Sequence, residues 1–511
     1  MREVRLVMKM GGESAMEKVI VIGGGIAGLS AGIYAKRCGF DVTILESHSM
    51  AGGYCTSWKR KGYLFEGGMH WLSGSGKNED MNKLWRYLGA LNNNVSIEHP
   101  DPFMEYNHNG TPIRAYRDLE KMEDHLIEVS PNDKKAIKKL CKSIRQMQKL
   151  SMPVIDLGGV KVTKKKHPPI TQLFAVIPGL RLMSSLNKIS TETYVERFEH
   201  EGIRNLLRSF TSDEIGTLPF VFTMGAITRG DGGFPEGGSL PFVGRMVRTF
   251  RGLGGKIIYN TRASRVQIED GEAVGVLVGE QLVPADAVIV TADTMAIDHL
   301  FLPPPEAKWL DYMKEHTEST TCTFVSIGIE ADLSCYPKGY AFKLQNPIKL
   351  ADRVYEFLRI NNYAADPSYA PAGKTSLTVI LDGDSNTYNY WKKVKAAGHY
   401  QAEKQRLANE VIIGLAMHMP ETNGRFKVCD VATPLTYDRY CAGWRGGWMT
   451  AMIEGAKMKS YPSVVKGLDG VYFAGHRMRP PGGLCPAVIS ARMAVQQLCK
   501  DTKTVFVTEW V

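Results

Sequence analysis

The chain has 511 residues, 44% of them hydrophobic and 23% charged, with a formal net charge of +10. That length and balance fit two or more globular units and exclude a disordered, collagen-like or small disulfide-stapled protein. Nine cysteines, an odd number with no CxxC pair, and twelve histidines with no HExxH spacing offer no metal site and point to a reducing, cytoplasmic setting.

Residues 1–16 carry Arg2, Glu3, Arg5 and Lys9 without an apolar run and read as a flexible extension, not a signal peptide. The next stretch, "KVIVIGGGIAGLSAGIYAKRCGFDVTILES", predicts strand, glycine turn, helix and second strand, a βαβ unit. Five of the 17 residues in Val19–Ala35 are glycine, which argues against a membrane span. Gly23, Gly25 and Gly28 form GxGxxG, and Ile26 and Ala27 open the helix. In such a motif the first glycine makes the tight turn and the second lets backbone approach a pyrophosphate. The third lets the helix pack on the sheet. The helix N-terminus adds free N–H donors. Glu46 ends the second strand 18 residues beyond Gly28, where an acid bonds ribose hydroxyls and disfavours a 2′-phosphate. A dinucleotide is therefore expected, FAD or NAD; a purely structural glycine turn is the alternative. Gly52-Gly53 and Phe65-Glu66-Gly67-Gly68 follow, as backbone alongside a long extended cofactor would require. No second fingerprint follows, so an external electron donor or acceptor is implied. His70 and Trp71 stand next, either as groups near the cofactor or as core aromatics.

Helices are predicted over 80–92 and 119–150. Residues 111–210 hold 19 Lys/Arg against 11 Asp/Glu, centred on Lys164-Lys165-Lys166. Prolines 153, 168, 169 and 178 make 151–190 irregular. This basic stretch mixes its cations with Phe174, Ile177, Leu180, Leu182 and Met183. It suits either a peripheral membrane contact or a solvated face. Nucleic acid is not an expected partner, because no reader module accompanies the charge. A helix over 239–253 precedes short strands with turns at Asp270-Gly271 and Gly279-Glu280. Further strands are predicted at 321–330, 338–346 and 375–382, and a helix at 396–418. "YCAGWRGGWMT" holds Trp444 and Trp448 and reads as a channel lining or a packed turn. Finally "GVYFAGHRMRPPGGLCPAVISARMA" predicts strand, glycine-rich loop and helix, with Gly475, His476, Gly483 and Leu484 in or beside the loop.

Taken together, "VIGGGIAGLSAGIYAKRCGFDVTILES", "GGYCTSWKRKGYLFEGG", "FPEGGSLPFVGRMV" and the C-terminal "GVYFAGHRMRPPGGLCPAVISARMA" resemble the phytoene-desaturase-like flavoproteins over residues 17 to 500. That group includes carotenoid desaturases, carotenoid isomerases and retinol saturases. The resemblance implies an α/β fold: a Rossmann-type FAD-binding domain built from discontinuous segments, with an inserted α+β substrate domain. The FAD domain takes 17–105, 233–300 and 431–511; the substrate domain takes 106–232 and 301–430. It implies FAD held by Gly23, Gly25, Ile26, Ala27, Gly28, Glu46, Gly52 and Gly53, with Val266 beside the adenine and Gly475, Gly483 and Leu484 along the flavin. It implies an FAD-dependent oxidoreductase that desaturates or saturates carbon–carbon bonds of an extended apolar small molecule such as a carotenoid or retinoid. The alternatives are a polyene isomerase using reduced FAD, a non-catalytic lipid or prenyl-protein binder of the same fold and, more remotely, a generic amine oxidase. His70, Trp71, Trp444 and His476 are the catalytic candidates. Arg477 and Arg479 read either as counter-charges to the flavin or as solvent-facing residues. Two departures from the wider fold stand out: Tyr54 where relatives often have Arg, and His476 where they often have an acid.

Overall fold

A computed structural model describes residues 16–510, apart from 153, 166–176, 180, 184, 187–188, 211–216 and 454–455. The first third contains β1 (Lys18–Ile22), α1 (Ile26–Arg37), β2 (Asp41–Leu45), β3 (Ser57–Arg60), β4 (Tyr63–Glu66), α2 (Asp80–Tyr87), β5 (Ile97–Glu98), β6 (Met104–His108), β7 (Thr111–Ala115), α3 (Leu119–Val129) and α4 (Lys134–Met147). Then come α5 (Thr191–Val195), α6 (Glu201–Arg208), α7 (Thr217–Ile227), β8 (Phe234–Pro235), α8 (Ser239–Gly252), β9 (Lys256–Ile258), β10 (Arg265–Glu269), β11 (Glu272–Val278), β12 (Gln281–Pro284) and β13 (Ala287–Val290). The last part holds α9 (Lys308–His316), β14 (Thr317–Ile329), β15 (Gly339–Leu350), β16 (Arg353–Asn362), β17 (Thr375–Gly383), α10 (Ser385–Ala396), α11 (Tyr400–His418), β18 (Phe426–Ala432), α12 (Pro434–Cys441), β19 (Met449–Met452), β20 (Val471–Phe473) and α13 (Leu484–Asp501).

Five strands form a parallel sheet in the order β20-β13-β1-β2-β9. Its strands are short and apolar because both faces are covered. On one face Val19, Val21, Val42 and Ile44 pack with α1, α8 and α13. On the other, Ile20, Ile22, Leu45 and Val290 pack with β10 and β11. Chain segments more than 400 residues apart thus share one sheet, as a discontinuous Rossmann-type domain requires.

A second, larger sheet runs β18-β14-β17-β16-β15-β6-β7, with β19 also paired to β14. One face packs on α11 through Ile327, Leu358, Ile360, Val379 and Leu407. Elsewhere the layer of α3, α4, α6 and α7 packs against Tyr106, Ile113 and Ala341.

Three expectations need correction. The helix predicted over 119–150 is two, α3 and α4, because Pro131 lacks the N–H that would carry the first through. The helix predicted over 396–418 starts at Tyr400; Gly398, at φ +77°, separates it from an additional helix, α10. The sequence reading assigns no strand to 353–362, yet β16 lies inside the large sheet. Its Glu356, Asn361 and Asn362 disfavour a strand, and pairing with β15 and β17 holds the segment extended.

Candidate active site

The site starts at the turn between β1 and α1. Gly23 has φ +101°, open to glycine. A Cβ on Gly28 would lie 1.9 Å from the Gly23 carbonyl oxygen, so helix and turn touch backbone to backbone. Gly25 has no such crowding: its nearest neighbours would be Gly52 and Gly53 at 3.8 Å. Gly52 N–H donates to the Gly24 carbonyl at 2.9 Å, which lays the second glycine pair along the first. No side chain caps α1, so the N–H groups at its start, in the Ile26–Ala27 turn, are available to an anion.

Glu46 is buried at the end of β2. Its Oε2 accepts from Gly24 N–H at 2.6 Å and its Oε1 from His48 N–H at 2.7 Å, which fixes the carboxylate beside the turn. Val266 lies in β10 with its side chain buried in the core beneath the parallel sheet.

The C-terminal loop approaches from β20. Gly475, at φ +149°, donates its N–H to Ser490 Oγ of α13 at 3.0 Å. Gly482 and Gly483 have φ of +96° and +94°. A Cβ on Gly483 would meet nothing within 4 Å, so open space lies before Leu484, the first residue of α13. That helix, too, has no side-chain cap. Two glycine-headed, uncapped helix N-termini therefore belong to one domain, and α1 and α13 pack against each other.

Arg477 is neither a solvent-facing residue nor a free counter-charge. It is 1% exposed. Its Nε donates to Asp293 Oδ1 at 2.7 Å and its Nη1 to Thr450 Oγ1 at 2.9 Å. Burial works against ionising Asp293, yet Arg477 and His476 hold its carboxyl below the usual range. Arg479 is half-buried against Met493, and burial lowers its pKa.

Between the glycine loops and the large sheet lies a chain of rings. Tyr54 stacks on Tyr437 at 5.5 Å; Tyr437 meets Phe324 of β14 at 5.8 Å; Phe324 meets His70 at 5.3 Å. Trp448 stands edge-on to His70 at 6.1 Å, and His476 is 6.1 Å from Tyr54. Four of these residues hold buried polar atoms with no partner among the described residues: the Tyr54 hydroxyl, His70 Nε2, Trp448 Nε1 and both His476 ring nitrogens. Leaving such an atom unpaired costs about 1–3 kcal/mol, so this cluster is suited to a ligand with polar atoms. Burial, aided by Arg477 and opposed by Asp293, pushes His476 down to about 4. Burial and Arg359 push His70 down to about 3, so both rings are neutral near pH 7.

The structure thus brings His70 and His476 into one cluster and leaves the other two candidates outside it. Trp71 is 37% exposed and packs edge-on to Phe103. Trp444 sits under Arg445 and Arg477 on a short turn. Sequence reasoning missed Phe324 and Tyr437. Alternation along β14 places Phe324 with Cys322, but nothing in the sequence pairs that face with residues 70, 437 or 448.

Paired glycine turns, uncapped helix starts, open space at Gly483 and unpartnered buried nitrogens all fit an extended flavin dinucleotide. Residues 26–499 match the model of the family described as flavin-containing amine oxidoreductase. An all-trans-retinol 13,14-reductase from Danio rerio is 24% identical over 483 residues, covering 84% of this chain and 76% of the relative. A neurosporene-forming phytoene desaturase from Cereibacter sphaeroides is 23% identical over 510 residues, covering 96% and 95%. The structure of cyclohexylamine oxidase from Brevibacterium oxydans superimposes with a TM-score of 0.61 at 15% identity, covering 96% of this chain and all (100%) of that one, which shows the shared fold. The resemblance read from the motifs is borne out: the chain belongs to the flavin-containing amine oxidoreductases, with FAD as its cofactor.

Proposed function

We propose that this FAD-dependent oxidoreductase desaturates or saturates carbon–carbon bonds of an extended apolar polyene of the carotenoid or retinoid class. The observation that carries the reading is the ring cluster of Tyr54, Tyr437, Phe324, His70 and Trp448, a run of tilted and edge-on aromatic rings, mainly carbon with a few polar atoms, that would wall a site for an extended apolar ligand. The names of the retinol reductase and phytoene desaturase relatives support it. FAD, when bound, supplies the two-electron chemistry. Gly23, Gly25, Gly28, Gly52 and Gly53 would admit its backbone-held pyrophosphate, with Ile26 and Ala27 N–H groups facing the phosphates and Glu46 the ribose. Val266 would flank the adenine, and Gly475, Gly483 and Leu484 the flavin end. Of the catalytic candidates we retain His70 and His476, both neutral and shielded. The aromatic surface would orient the polyene and exclude water. An external electron partner and the domain limits given above belong to the same proposal.

A peripheral membrane contact completes the proposal. Lys134, Lys135, Lys138, Lys139 and Lys142 are exposed along α4, and Lys164 and Lys165 are exposed further on. Lys166, Phe174 and Leu180 lie outside the described residues. No described helix is long and apolar enough to cross a membrane. Replacing Lys164–Lys166 by Gln is expected to lower sedimentation with anionic liposomes at low salt; unchanged sedimentation would remove the membrane contact.

The test of the activity is anaerobic. Purified holoprotein mixed with a polyene and an artificial electron donor or acceptor should shift the polyene absorption band with stoichiometric electron use. Product formed over many turnovers without electron use would instead establish isomerisation. No spectral change with any polyene would remove the reading.

A further inference from the structure

The nine cysteines are free thiols in unlike surroundings. Cys335 is exposed, and Cys55, Cys141, Cys322, Cys485 and Cys499 are buried. Burial pushes the thiols of Cys55, Cys141, Cys429 and Cys441 up to about 12, which keeps them protonated and inert. Cys38 differs. It caps the C-terminal end of α1 and keeps partial exposure. Its side chain shares a hydrogen bond with that of Cys499, in the last turn of α13. Cys38 Sγ also accepts from Val507 N–H at 3.4 Å, and the Val507 carbonyl accepts from the Tyr87 hydroxyl at 2.9 Å. The C-terminal segment is thus fixed across Cys38. The bond from Cys499 lowers the Cys38 thiol, with Val507 N–H helping and burial opposing. The same bond, together with burial, raises Cys499. Two adjacent thiols therefore have unlike roles. One is partly exposed and the more acidic; the other is buried and keeps its proton.

We propose that Cys38 and Cys499 are a peroxide-sensing thiol pair that closes reversibly to a disulfide between α1 and α13. Cys38, as the thiolate, attacks one oxygen of hydrogen peroxide. The O–O bond breaks, leaving Cys38 sulfenic acid and a hydroxide that takes up the thiol proton as water. The Cys499 sulfur then attacks the Cys38 sulfur. The S–O bond breaks, the S–S bond forms, and the Cys499 proton leaves with the hydroxide as a second water. The two thiols lose two electrons in all, and the peroxide gains them. Thiol–disulfide exchange with a dithiol reverses the change, as suits a transient disulfide in a reducing compartment. The pair is not part of the flavin site: Cys38 stands at the far end of α1, about 18 Å along the helix from the Gly25 turn. The bond would join the C-terminal ends of the two helices whose uncapped starts carry the glycine loops.

The test treats FAD-loaded protein with increasing hydrogen peroxide, blocks the remaining thiols by alkylation and maps disulfides by mass spectrometry without reduction. A peptide joining Cys38 to Cys499 should be the main disulfide, and dithiothreitol should return it to two thiols. In Cys499→Ala the resolving thiol is gone, and dimedone should trap sulfenic acid at Cys38 at least about fivefold more than at exposed Cys335. The map of the unaltered protein decides the matter, whatever the variant does. Absence of the joined peptide at peroxide concentrations that oxidise Cys335 would overturn the pair. So would a main disulfide that links Cys38 or Cys499 to any other cysteine, or Cys38 found as sulfinic acid while Cys499 is still a thiol.

Discussion

Gly25 and Gly28 stand three residues apart and answer to different constraints. A side chain at 28 would strike the Gly23 carbonyl, whereas one at 25 has ordinary contacts and a φ of −69° that any residue adopts. Gly25→Val is therefore expected to keep the fold and lower bound flavin at least about tenfold, by displacing the phosphate from the backbone. Gly28→Val should fail to fold. Flavin absorbance per protein and thermal melting check both, and full flavin content in Gly25→Val would contradict the assignment. The two buried histidines make a pH prediction. Their folded pKa values, about 4 and about 3, lie below the ordinary 6.5, so the unfolded chain binds more protons. Stability is fully present above pH 6.5 and is lost as pH falls toward 4. Between pH 7 and 5 each ring should cost about 2 kcal/mol in urea unfolding of flavin-free protein, and His476→Asn should remove one share. Sequence pattern pointed to these positions, His476 because an acid is usual there, but it could not say that His70 Nε2 and both His476 ring nitrogens are buried without a partner among the described residues.

At the scale of elements, the turn after β4 is held by one carboxylate. Glu66 is fully buried, and burial raises its pKa while hydrogen bonds from Ser239 (hydroxyl and N–H), Met69 N–H and Gly68 N–H work the other way. Its oxygens accept from Gly68 N–H, Met69 N–H, Ser239 N–H, Ser239 Oγ and Tyr369 hydroxyl. This joins the loop that carries His70 to the start of α8. In Glu66→Gln one acceptor oxygen becomes an NH₂ facing donors, and a loss of about 2–4 kcal/mol is expected in denaturant unfolding. A change within about 0.5 kcal/mol would show that the junction is held by other contacts. The motif "FEGG" was legible as a glycine turn beside the cofactor. The role of its glutamate was not, because Ser239 lies 173 residues away. Element types near the glycine motifs read well, since turn chemistry is local. β16 did not, since its stability comes from neighbours on either side.

At the scale of the molecule, Arg477 ties the two sheets together. From the turn after β20 of the parallel sheet it bonds Ser319 of β14, Thr450 of β19 and Asp293 beyond β13. Arg477→Met leaves Asp293 buried without its partner and is expected to cost about 3–5 kcal/mol and to lower flavin retention. Calorimetry and flavin release check it, and an unchanged melting temperature would show the tie to be dispensable. What the sequence determined by itself was the set of glycine turns proposed to hold the cofactor. A GxGxxG turn, an acid 18 residues on and a glycine-rich loop before a helix are short-range patterns, and backbone geometry gives each one meaning. Only the tertiary structure decided the ring cluster. Tyr54, His70, Phe324, Tyr437 and Trp448 come from separate loops, a strand and a helix, and their meeting depends on long-range sheet pairing that leaves no local trace. It also settled the charges, burying Arg477 and pairing it, because a side chain's solvation is set by everything packed around it and not by its neighbours in the chain.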